Sequence, residues 1–301
     1  MAEVNLGLLP ELIALGLAVG VISGLFGVGG GFLLTPMLNV IFGLPYNIAV
    51  GTGIFVTLGT SIVGAIRHWR LGNVDLKLGL LMLTGGIPGV LGGVRLVEAL
   101  EQAGEVKLLG GRMSAVDFVL SLVFLLLLGL VGLFSLFESR RALCKGERPS
   151  KTPSGNVPFG LRLPPLVCLK RCEFQLASLW AILGIGAGAG FAAGLMGVGG
   201  GFLLVPAMIY LLRAPTKVAV GTSLFQVAFS SVLSTFLHAH GENLLLPVAL
   251  SVLAGSIFGV QVGALLTVRL PGARIRFLFS LLLFGAALAV LLKLLARLGV
   301  S

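Results

Sequence analysis

Charged residues are scarce in this chain, and long stretches of it contain none. Asp, Glu, Lys and Arg make up 11% of the 301 residues, whereas about 25% is usual in a soluble domain. Four of the uncharged stretches are 12–66, 174–212, 218–241 and 243–268. Because roughly 20 apolar residues cross a bilayer, the sequence excludes a soluble protein and predicts an all-α polytopic membrane protein.

Residues that carry catalysis or bind metals are also few. The chain has 3 histidines and 3 cysteines, and the cysteines lie in one polar segment without a histidine: Cys144, Cys168 and Cys172. No Ser/His/Asp arrangement and no metal-ligand spacing is present. No charged residue lies in the middle of an apolar stretch to relay protons. We therefore predict no catalytic residue, no metal site, no cofactor and no enzyme activity.

The net charge of +10 does not indicate nucleic-acid binding. Eight of the 21 Lys and Arg residues lie in segment 138–174, and others flank the apolar stretches. Basic residues in such positions anchor a membrane protein on its cytoplasmic side. The predicted partner of these basic residues is the bilayer of the cell membrane. The sequence leaves the oligomeric state open, a homo-oligomer included.

One glycine-rich motif occurs twice, 170 residues apart, within apolar sequence. Residues 24–36 and 194–206 are identical at 11 of 13 positions, and Gly-Val-Gly-Gly-Gly occupies 27–31 and 197–201. Such a run breaks a helix where no water can hydrogen-bond to the backbone, so membrane proteins keep it only beside a cavity or buried in protein. Matched breaks in two halves typically mark the substrate site of a transporter.

The similarity continues beyond the glycines at the same offset. Ala-Val-Gly-Thr at 49–52 recurs at 219–222, and no insertion is needed from residue 16 to residue 93. We interpret the chain as two homologous repeats of four helical segments, the first segment of each broken by the glycines. The predicted domains are an N-terminal membrane repeat at 1–137, a basic cytoplasmic linker at 138–174 and a C-terminal membrane repeat at 175–301.

The path of the broken segments, 8–43 and 176–212, decides the relation between the repeats. If each crosses the membrane once, the repeats are parallel, and one side carries 13 Lys and Arg against 8 on the other. If each dips in and returns, the repeats are inverted, and the distribution is 16 against 5. The positive-inside rule and the 36-residue length of the first broken segment favour inverted repeats.

Backbone N–H groups at the breaks are suited to hold an anion. A second helical piece is predicted to begin near Phe32 and Phe202, with Pro36 and Pro206 in about its first turn, where a missing N–H is tolerated. This piece directs free N–H groups and the positive end of its dipole at the glycines. The structural alternative is tight helix crossing, which we favour for the glycines spaced four apart at 16–24.

Few polar side chains lie within the predicted spans, and some extend the candidate site. Thr52 and Thr222 match across the repeat, and Gln226 lies one helical turn after Thr222 on the same face. For Gln226, hydrogen bonding between helices is an equal alternative to lining the site. The predicted substrate-binding residues are Gly27, Gly29, Gly30, Gly31, Phe32, Pro36, Thr52, Gly197, Gly199, Gly200, Gly201, Phe202, Pro206, Thr222, Ser223 and Gln226.

Two histidines also match across the repeat, His68 and His238, each near the end of its span. Because histidine titrates near neutral pH, the pair is a candidate for proton coupling. Trp69 and Arg70 follow His68 directly and favour the alternative, a residue at the membrane interface.

The duplicated Gly-x-Gly-Gly-Gly-Phe-Leu-x-x-Pro, together with Ala-Val-Gly-Thr at 49–52 and 219–222, resembles the TauE/SafE sulfite exporter family. This family is also called the toluene-sulfonate uptake permease family. The resemblance covers nearly the whole chain apart from the linker. It implies a secondary transporter of sulfite, sulfonates and related organosulfur anions in the bacterial cytoplasmic membrane. The motif residues carried over are Gly27, Gly29, Gly30, Gly31, Pro36, Gly197, Gly199, Gly200, Gly201 and Pro206.

Three hypotheses follow for the function. The first is secondary transport of a small anion by alternating access, with the site between the two glycine breaks. The second is an anion channel, which requires a continuous pore and uncoupled flux. The third is a membrane scaffold or assembly factor without a substrate, which requires a closed apolar interface between the repeats.

Overall fold

The computed structural model describes residues 8–102, 105–108, 111–145, 164–168, 176–196, 199–240 and 244–297. Helices dominate this part of the chain, and seven of its helices are long and apolar enough to cross a membrane. The helices are α1 Leu9–Phe26, α2 Gly31–Val40, α3 Tyr46–Arg70, α4 Leu76–Gln102, α5 Ala115–Lys145, α6 Leu179–Met196, α7 Gly201–Tyr210, α8 Thr216–His240, α9 Leu246–Arg269 and α10 Gly272–Arg297.

Two short antiparallel hairpins depart from the purely helical prediction. Strands β1 Glu105–Leu108 and β2 Gly111–Ser114 connect α4 to α5. Strands β3 Leu166–Cys168 and β4 Leu176–Ser178 precede α6. The hairpin β1–β2 lies outside the uncharged stretches, where hydrophobicity does not constrain the chain to a helix, whereas β4 lies near the start of the uncharged stretch 174–212. The helix α5 also continues to Lys145, past the predicted boundary at residue 137 between the N-terminal membrane repeat and the linker.

Glycines spaced four apart join the helices in two close pairs. A Cβ atom placed on Gly16, Gly20 or Gly24 of α1 would collide with the backbone of Val252, Ser256 or Val260 of α9, respectively. The residue numbers on both sides of these contacts increase together, so α1 and α9 run in the same direction. By the same criterion, glycines 186, 190 and 194 of α6 lie against residues 82, 86 and 90 of α4. These contacts confirm the small-residue packing that the glycine spacing predicts.

The first half turns back on itself after α1. Gly30 lies against Val19, about two turns before the end of α1. The helix α3, which follows α2 after a short loop, runs in the direction of α9 and hence of α1, because Thr60 hydrogen-bonds to Ser256 and Gly64 lies against Val260. It follows that α2 returns toward the face from which α1 entered.

The second half makes the same turn from the opposite side. Gly200 lies against Ala189 in α6. The helix α8 runs antiparallel to α3, because Gly221 contacts His68 and Gly64 contacts Leu224. The directions of α6, α7 and α8 are therefore opposite to those of α1, α2 and α3. The last helix of each half, α5 and α10, pack together in antiparallel fashion.

Three basic loops lie at the same end of the bundle because of the directions of the helices that they connect. Thr216 accepts a hydrogen bond from the guanidinium of Arg276 at 2.8 Å, and the Lys217 ammonium donates to the carbonyl oxygen of Val268 at 2.7 Å. Asn73, after α3, lies against Gly221 near the start of α8. Loops 67–77, 213–217 and 269–276 therefore share one side, which we call the basic side.

Candidate functional site

The two glycine breaks meet in the interior of the bundle. We call residues 27–30 the first break and residues 197–200 the second. A Cβ atom placed on Gly201 would lie 2.8 Å from both Cα and the carbonyl oxygen of Val28. The rings of Phe32 and Phe202, which follow the two breaks, have centroids 6.3 Å apart, and both side chains are fully buried. The structure thus brings together residues that are 170 positions apart.

Glycine is required at the last residue of each break by the backbone conformation. Gly30 and Gly200 precede α2 and α7 with φ angles of 85° and 70°, in the left-handed region. A side chain there costs roughly 1–2 kcal/mol even in open space, and this space is not open. The chain can therefore reverse without a bulky side chain between the break and a ligand.

Both short helices start at the meeting point of the breaks. Each has ten residues, and its first hydrogen bonds are donated by the N–H groups of Leu33 and Leu34 to the carbonyl oxygen of Gly30 in α2, and by those of Leu203 and Leu204 to the carbonyl oxygen of Gly200 in α7. The N–H of Gly31, like that of Gly201, precedes the first such bond and has no acceptor within its helix. Two positive helix ends consequently lie within one buried region.

Pro36 and Pro206 lie one turn later than their predicted position. Each is the sixth residue of its helix, in the second turn. Proline lacks the N–H that would bond to the residue four positions earlier, so it removes one hydrogen bond from each short helix. Counted from the glycine or from the phenylalanine that follows it, the proline falls beyond the first turn of about 3.6 residues, so the predicted position was too early in the helix.

Four side chains at matched positions surround the breaks, and three of them carry a hydroxyl. Thr57 and Ser61 of α3 correspond at the offset of 170 to Val227 and Ser231 of α8. A Cβ on Gly29 would lie 2.9 Å from the hydroxyl of Ser61, and one on Gly199 would lie 3.5 Å from that of Ser231. Thr57 and Val227 approach both glycines.

The hydroxyls of Thr57, Ser61 and Ser231 are buried and have no hydrogen-bond partner in the structure. Buried polar groups are nearly always hydrogen-bonded, so the three unpartnered hydroxyls beside two helix N-termini are candidates for ligand contacts. These residues are not among those predicted from the sequence. The exact recurrence of Ser61 as Ser231 was available as a signal, because polar residues in apolar spans are few.

Side chains from three other helices contact backbone carbonyl oxygens at the end of α1 and at the start of the first break. The Ser223 hydroxyl lies 2.6 Å from the carbonyl oxygen of Gly27. The Thr267 hydroxyl lies 3.1 Å from the carbonyl oxygens of both Gly24 and Leu25. Nε2 of His68 lies 3.0 Å from the same Gly24 oxygen. Ser223, one of the predicted substrate-binding residues, therefore lies beside the first break with its hydroxyl directed at the backbone.

The partners of His68 are those of a neutral ring. A carbonyl oxygen only accepts, so Nε2 carries the proton that it donates to Gly24. Nδ1 is then free to accept from the amide nitrogen of Asn73, 3.4 Å away. His68 is buried, whereas Trp69 beside it is exposed. The side chain of His238 lies outside the described residues.

The hydroxyls of Thr52 and Thr222 bond to the backbone just before two neighbouring helices. The Thr52 hydroxyl accepts the N–H of Leu245, just before α9, at 3.2 Å. The Thr222 hydroxyl accepts the N–H of Asp75, just before α4, at 3.0 Å. The two contacts correspond across the repeat, and each joins one half to the other.

A cavity of about 540 Å³ lies between α4, α6 and α8 and reaches the second break. Gly199 and Gln226 line its inner wall, and exposed apolar side chains such as Phe229 and Phe236 line the outer part. Gln226 is buried, and its side-chain oxygen has no partner. The cavity thus gives Gln226, predicted as a site residue, a place beside Gly199. Gly197 lies outside the described residues.

The matching space in the first half is closed. There, Thr60 of α3 and Ser256 of α9 are joined by a hydrogen bond of 2.7 Å between their hydroxyls. Their counterparts in the second half are Ser230 and Gly86, which line the cavity. We call these contacts the α3–α9 seam and the α4–α8 seam. Gly86 has no side chain with which Ser230 could bond, so the α4–α8 seam lacks this closure.

Ionic and metal chemistry have little support at the breaks. Residues 12–66 and 174–212 contain no Asp, Glu, Lys or Arg. Within the residues that the structure describes, no three His, Cys, Asp or Glu side chains lie together in a group that could hold a metal ion. What the breaks offer chemically is a set of neutral hydrogen-bond donors in an apolar surrounding.

Comparison with known proteins gives one family and several relatives. The profile of the family described as "Sulfite exporter TauE/SafE" matches residues 12–290. The probable membrane transporter protein YjnA of Bacillus subtilis is 29% identical over 93% of this chain and 99% of its own length. The probable membrane transporter protein MJ0441 of Methanocaldococcus jannaschii is 26% identical over 95% and 96%. A probable membrane transporter protein of Xylella fastidiosa (strain Temecula1) is 29% identical over 91% of each chain. No solved structure matches the chain significantly.

Proposed function

The chain belongs to the sulfite exporter TauE/SafE family of multi-pass membrane transporters, which are not enzymes, and from that premise we propose that it moves a small organosulfur anion by alternating access. Sulfite and sulfonates are the proposed substrates. The observation that carries the proposal is the meeting of the two glycine breaks. Two helix N-termini and unpartnered hydroxyls converge there, and such ends bind anions through backbone N–H groups.

The two halves are proposed to be inverted repeats. This is supported by the opposite directions of α1–α3 and α6–α8, and by the return of both short helices toward the side of entry. Inverted repeats with discontinuous helices place the substrate site near the bilayer midplane, between the repeats. Phe32 and Phe202, matched in sequence and in mutual contact, lie where a pseudo-two-fold axis would pass.

The basic side is proposed to face the cytoplasm. Loops 67–77, 213–217 and 269–276 lie on it, and α5 ends and α6 begins there, so the basic linker joins the same side. Together these segments hold 16 of the 21 Lys and Arg residues. An excess of this kind marks cytoplasmic loops.

The unequal seams support alternating access. In this conformation the α3–α9 seam is closed by Thr60 and Ser256, while the α4–α8 seam holds the cavity that reaches Gly199. The cavity extends along α8 to Phe236, toward the end of α8 that is remote from the basic side. We infer that the substrate site is open away from the cytoplasm here, and that the opposite state closes α4 on α8 and opens α3 from α9.

Transport in proteoliposomes tests the proposal and separates it from its alternatives. The purified protein should move sulfite or a sulfonate, and should be indifferent to a carboxylate of similar size. Unlabelled substrate on the far side should accelerate uptake of labelled substrate, because a carrier returns faster when loaded. A channel would carry current without this acceleration. A scaffold would carry no flux of any anion in the panel.

A further inference from the structure

Matched serine hydroxyls lie at the meeting point of the glycine breaks, and nothing in the comparisons assigns them a role. We propose that Ser61 and Ser231 bind the transported anion directly, and that the site they form accepts singly charged oxyanions and rejects doubly charged ones. This inference rests on the proposed function and deepens it, because it identifies ligand-binding side chains and a charge class.

Geometry supports the role of the serines. Each hydroxyl lies beside the positive-φ glycine of its own half: Ser61 at Gly29 and Ser231 at Gly199. Both side chains are at most 1% exposed, and neither hydroxyl has a partner. They correspond at the offset of 170 residues, so an anion between the breaks would receive one hydroxyl from each half.

The charge class follows from what surrounds the breaks. No Lys or Arg lies in 12–66, 174–212 or 218–241, the sequence that forms the breaks and both serines. The compensating positive charge comes from the N-termini of α2 and α7. Each helix end is equivalent to roughly half an elementary charge, so the two together balance about one negative charge.

A second negative charge would have no compensation in this site. The cost of moving an ion out of water rises with the square of its charge, so a dianion costs about four times as much as a monoanion of the same size. The neutral hydroxyl and amide donors of the site are the same for a monoanion and a dianion, so they do not compensate for the second charge. Sulfonates and hydrogen sulfite meet the requirement, whereas sulfate and fully deprotonated sulfite do not.

Ligand-dependent melting of the purified protein in detergent tests the proposal. Methanesulfonate should raise the melting temperature of the wild type, and sulfate at the same ionic strength should not. In Ser61→Ala and Ser231→Ala, the apparent methanesulfonate affinity should fall about tenfold or more, since a hydroxyl bond to an anion contributes at least this much. Without ligand, both variants should melt at or above the wild-type temperature, because the removed hydroxyl had no partner.

Ser280→Ala provides the matched control. Ser280 is buried in α10, and its hydroxyl donates to the carbonyl oxygen of Phe277 at 2.7 Å. This variant should melt at a lower temperature but keep the wild-type response to methanesulfonate. The opposite pattern at Ser61 and Ser231 separates ligand binding from structural support.

Three results would overturn the inference. Equal stabilisation by sulfate and methanesulfonate would reject the charge class. Unchanged affinity in both serine variants would reject direct binding, as would a lower melting temperature without ligand combined with normal affinity. In each case wild-type transport of a sulfonate would leave the proposed function intact. A wild type that neither responds to any oxyanion nor transports one would remove the proposed function and this inference together.

Discussion

The two glycine breaks are nearly identical in sequence but are supported by different neighbours. At the first break, hydroxyls of Ser223 and Thr267 approach the carbonyl oxygens of Gly24, Leu25 and Gly27. The residues that correspond to Ser223 and Thr267 are Gly53 and Val97, which have no hydroxyl. The second break therefore has no hydroxyl from these two positions.

The seams beside the two breaks also differ from each other. The α3–α9 seam is closed by the bond between Thr60 and Ser256, and the α4–α8 seam, with Ser230 and Gly86 in their place, is open. The difference teaches that two stretches of similar sequence can pack differently against their neighbours. Under the proposed function, the side with the cavity is where the substrate would enter.

The largest effect is expected from alanine at the glycines that precede the short helices. A Cβ on Gly200 would collide with the carbonyl oxygen of Ala189, whereas a Cβ on Gly30 would meet only a methyl group of Val19, at 2.7 Å. Backbone is less able to move than a side chain. Gly200→Ala should therefore fail to yield folded protein, and Gly30→Ala should fold but transport at least tenfold more slowly.

Size-exclusion chromatography in detergent and proteoliposome uptake would measure these two outcomes. Gly184→Ala is the control, since Gly184 is helical and has no heavy atom near its Cβ position. It should be normal in both assays. Equal folding and equal transport for the variants at Gly30 and Gly200 would remove the distinction between the breaks.

The next effect concerns the support of the first break. Ser223→Ala leaves the carbonyl oxygen of Gly27 without this donor, and loss of a buried partner costs about 1–3 kcal/mol. The melting temperature should fall by a few degrees. Ser251→Ala is the control, because that hydroxyl is exposed and bonds only to Pro247 of its own helix. If both variants melt like the wild type, Ser223 does not hold the break.

A smaller but more specific effect is expected at the seams. Leu83 lines the cavity, and its counterpart Leu253 packs against Gly59 in the closed seam. After replacement of the three native cysteines, Leu83→Cys should react with a maleimide several times faster than Leu253→Cys. Adding Thr60→Val should raise the rate at position 253 by opening the α3–α9 seam. Equal rates in the parent background would argue against the unequal seams.

The smallest effect is expected at His68. Glutamine at this position can still donate an N–H to Gly24, so His68→Gln should lower the transport rate only modestly. Because the partners of His68 fit a neutral ring, the variant should keep the shape of the pH profile between about pH 5 and 8. A flattened profile in His68→Gln, and more so with His238→Gln, would restore proton coupling to this pair.

Much of the architecture could be predicted from residue patterns, and the reasons are physical. Long uncharged stretches leave few alternatives to membrane helices, and the glycine runs located the ends of α1 and α6 to within about a residue. The hairpin β1–β2 was missed because sequence outside the bilayer is not restricted to helices. The hydrogen bonds of the Thr52 and Thr222 hydroxyls could not be predicted. A hydroxyl that accepts an N–H at the start of a neighbouring helix and one that binds a substrate look alike in sequence.

The unequal seams lay beyond prediction for a different reason. The counterpart of Ser256 is Gly86, and this difference is visible in the sequence. Its consequence depends on which helices pack together. The contact of α3 with α9 crosses from one half to the other and is known only from the structure. Ser61 and Ser231 were visible as a matched pair, yet their lack of partners also required coordinates.

The most direct test of the account is a structure determined with methanesulfonate bound. The central claim is that the two breaks form one anion site. It predicts an oxyanion between the breaks, within hydrogen-bonding distance of the N–H groups at the starts of α2 and α7 and of the hydroxyls of Ser61 and Ser231. An anion bound only at the basic side, with the breaks packed against each other and unoccupied, would contradict it.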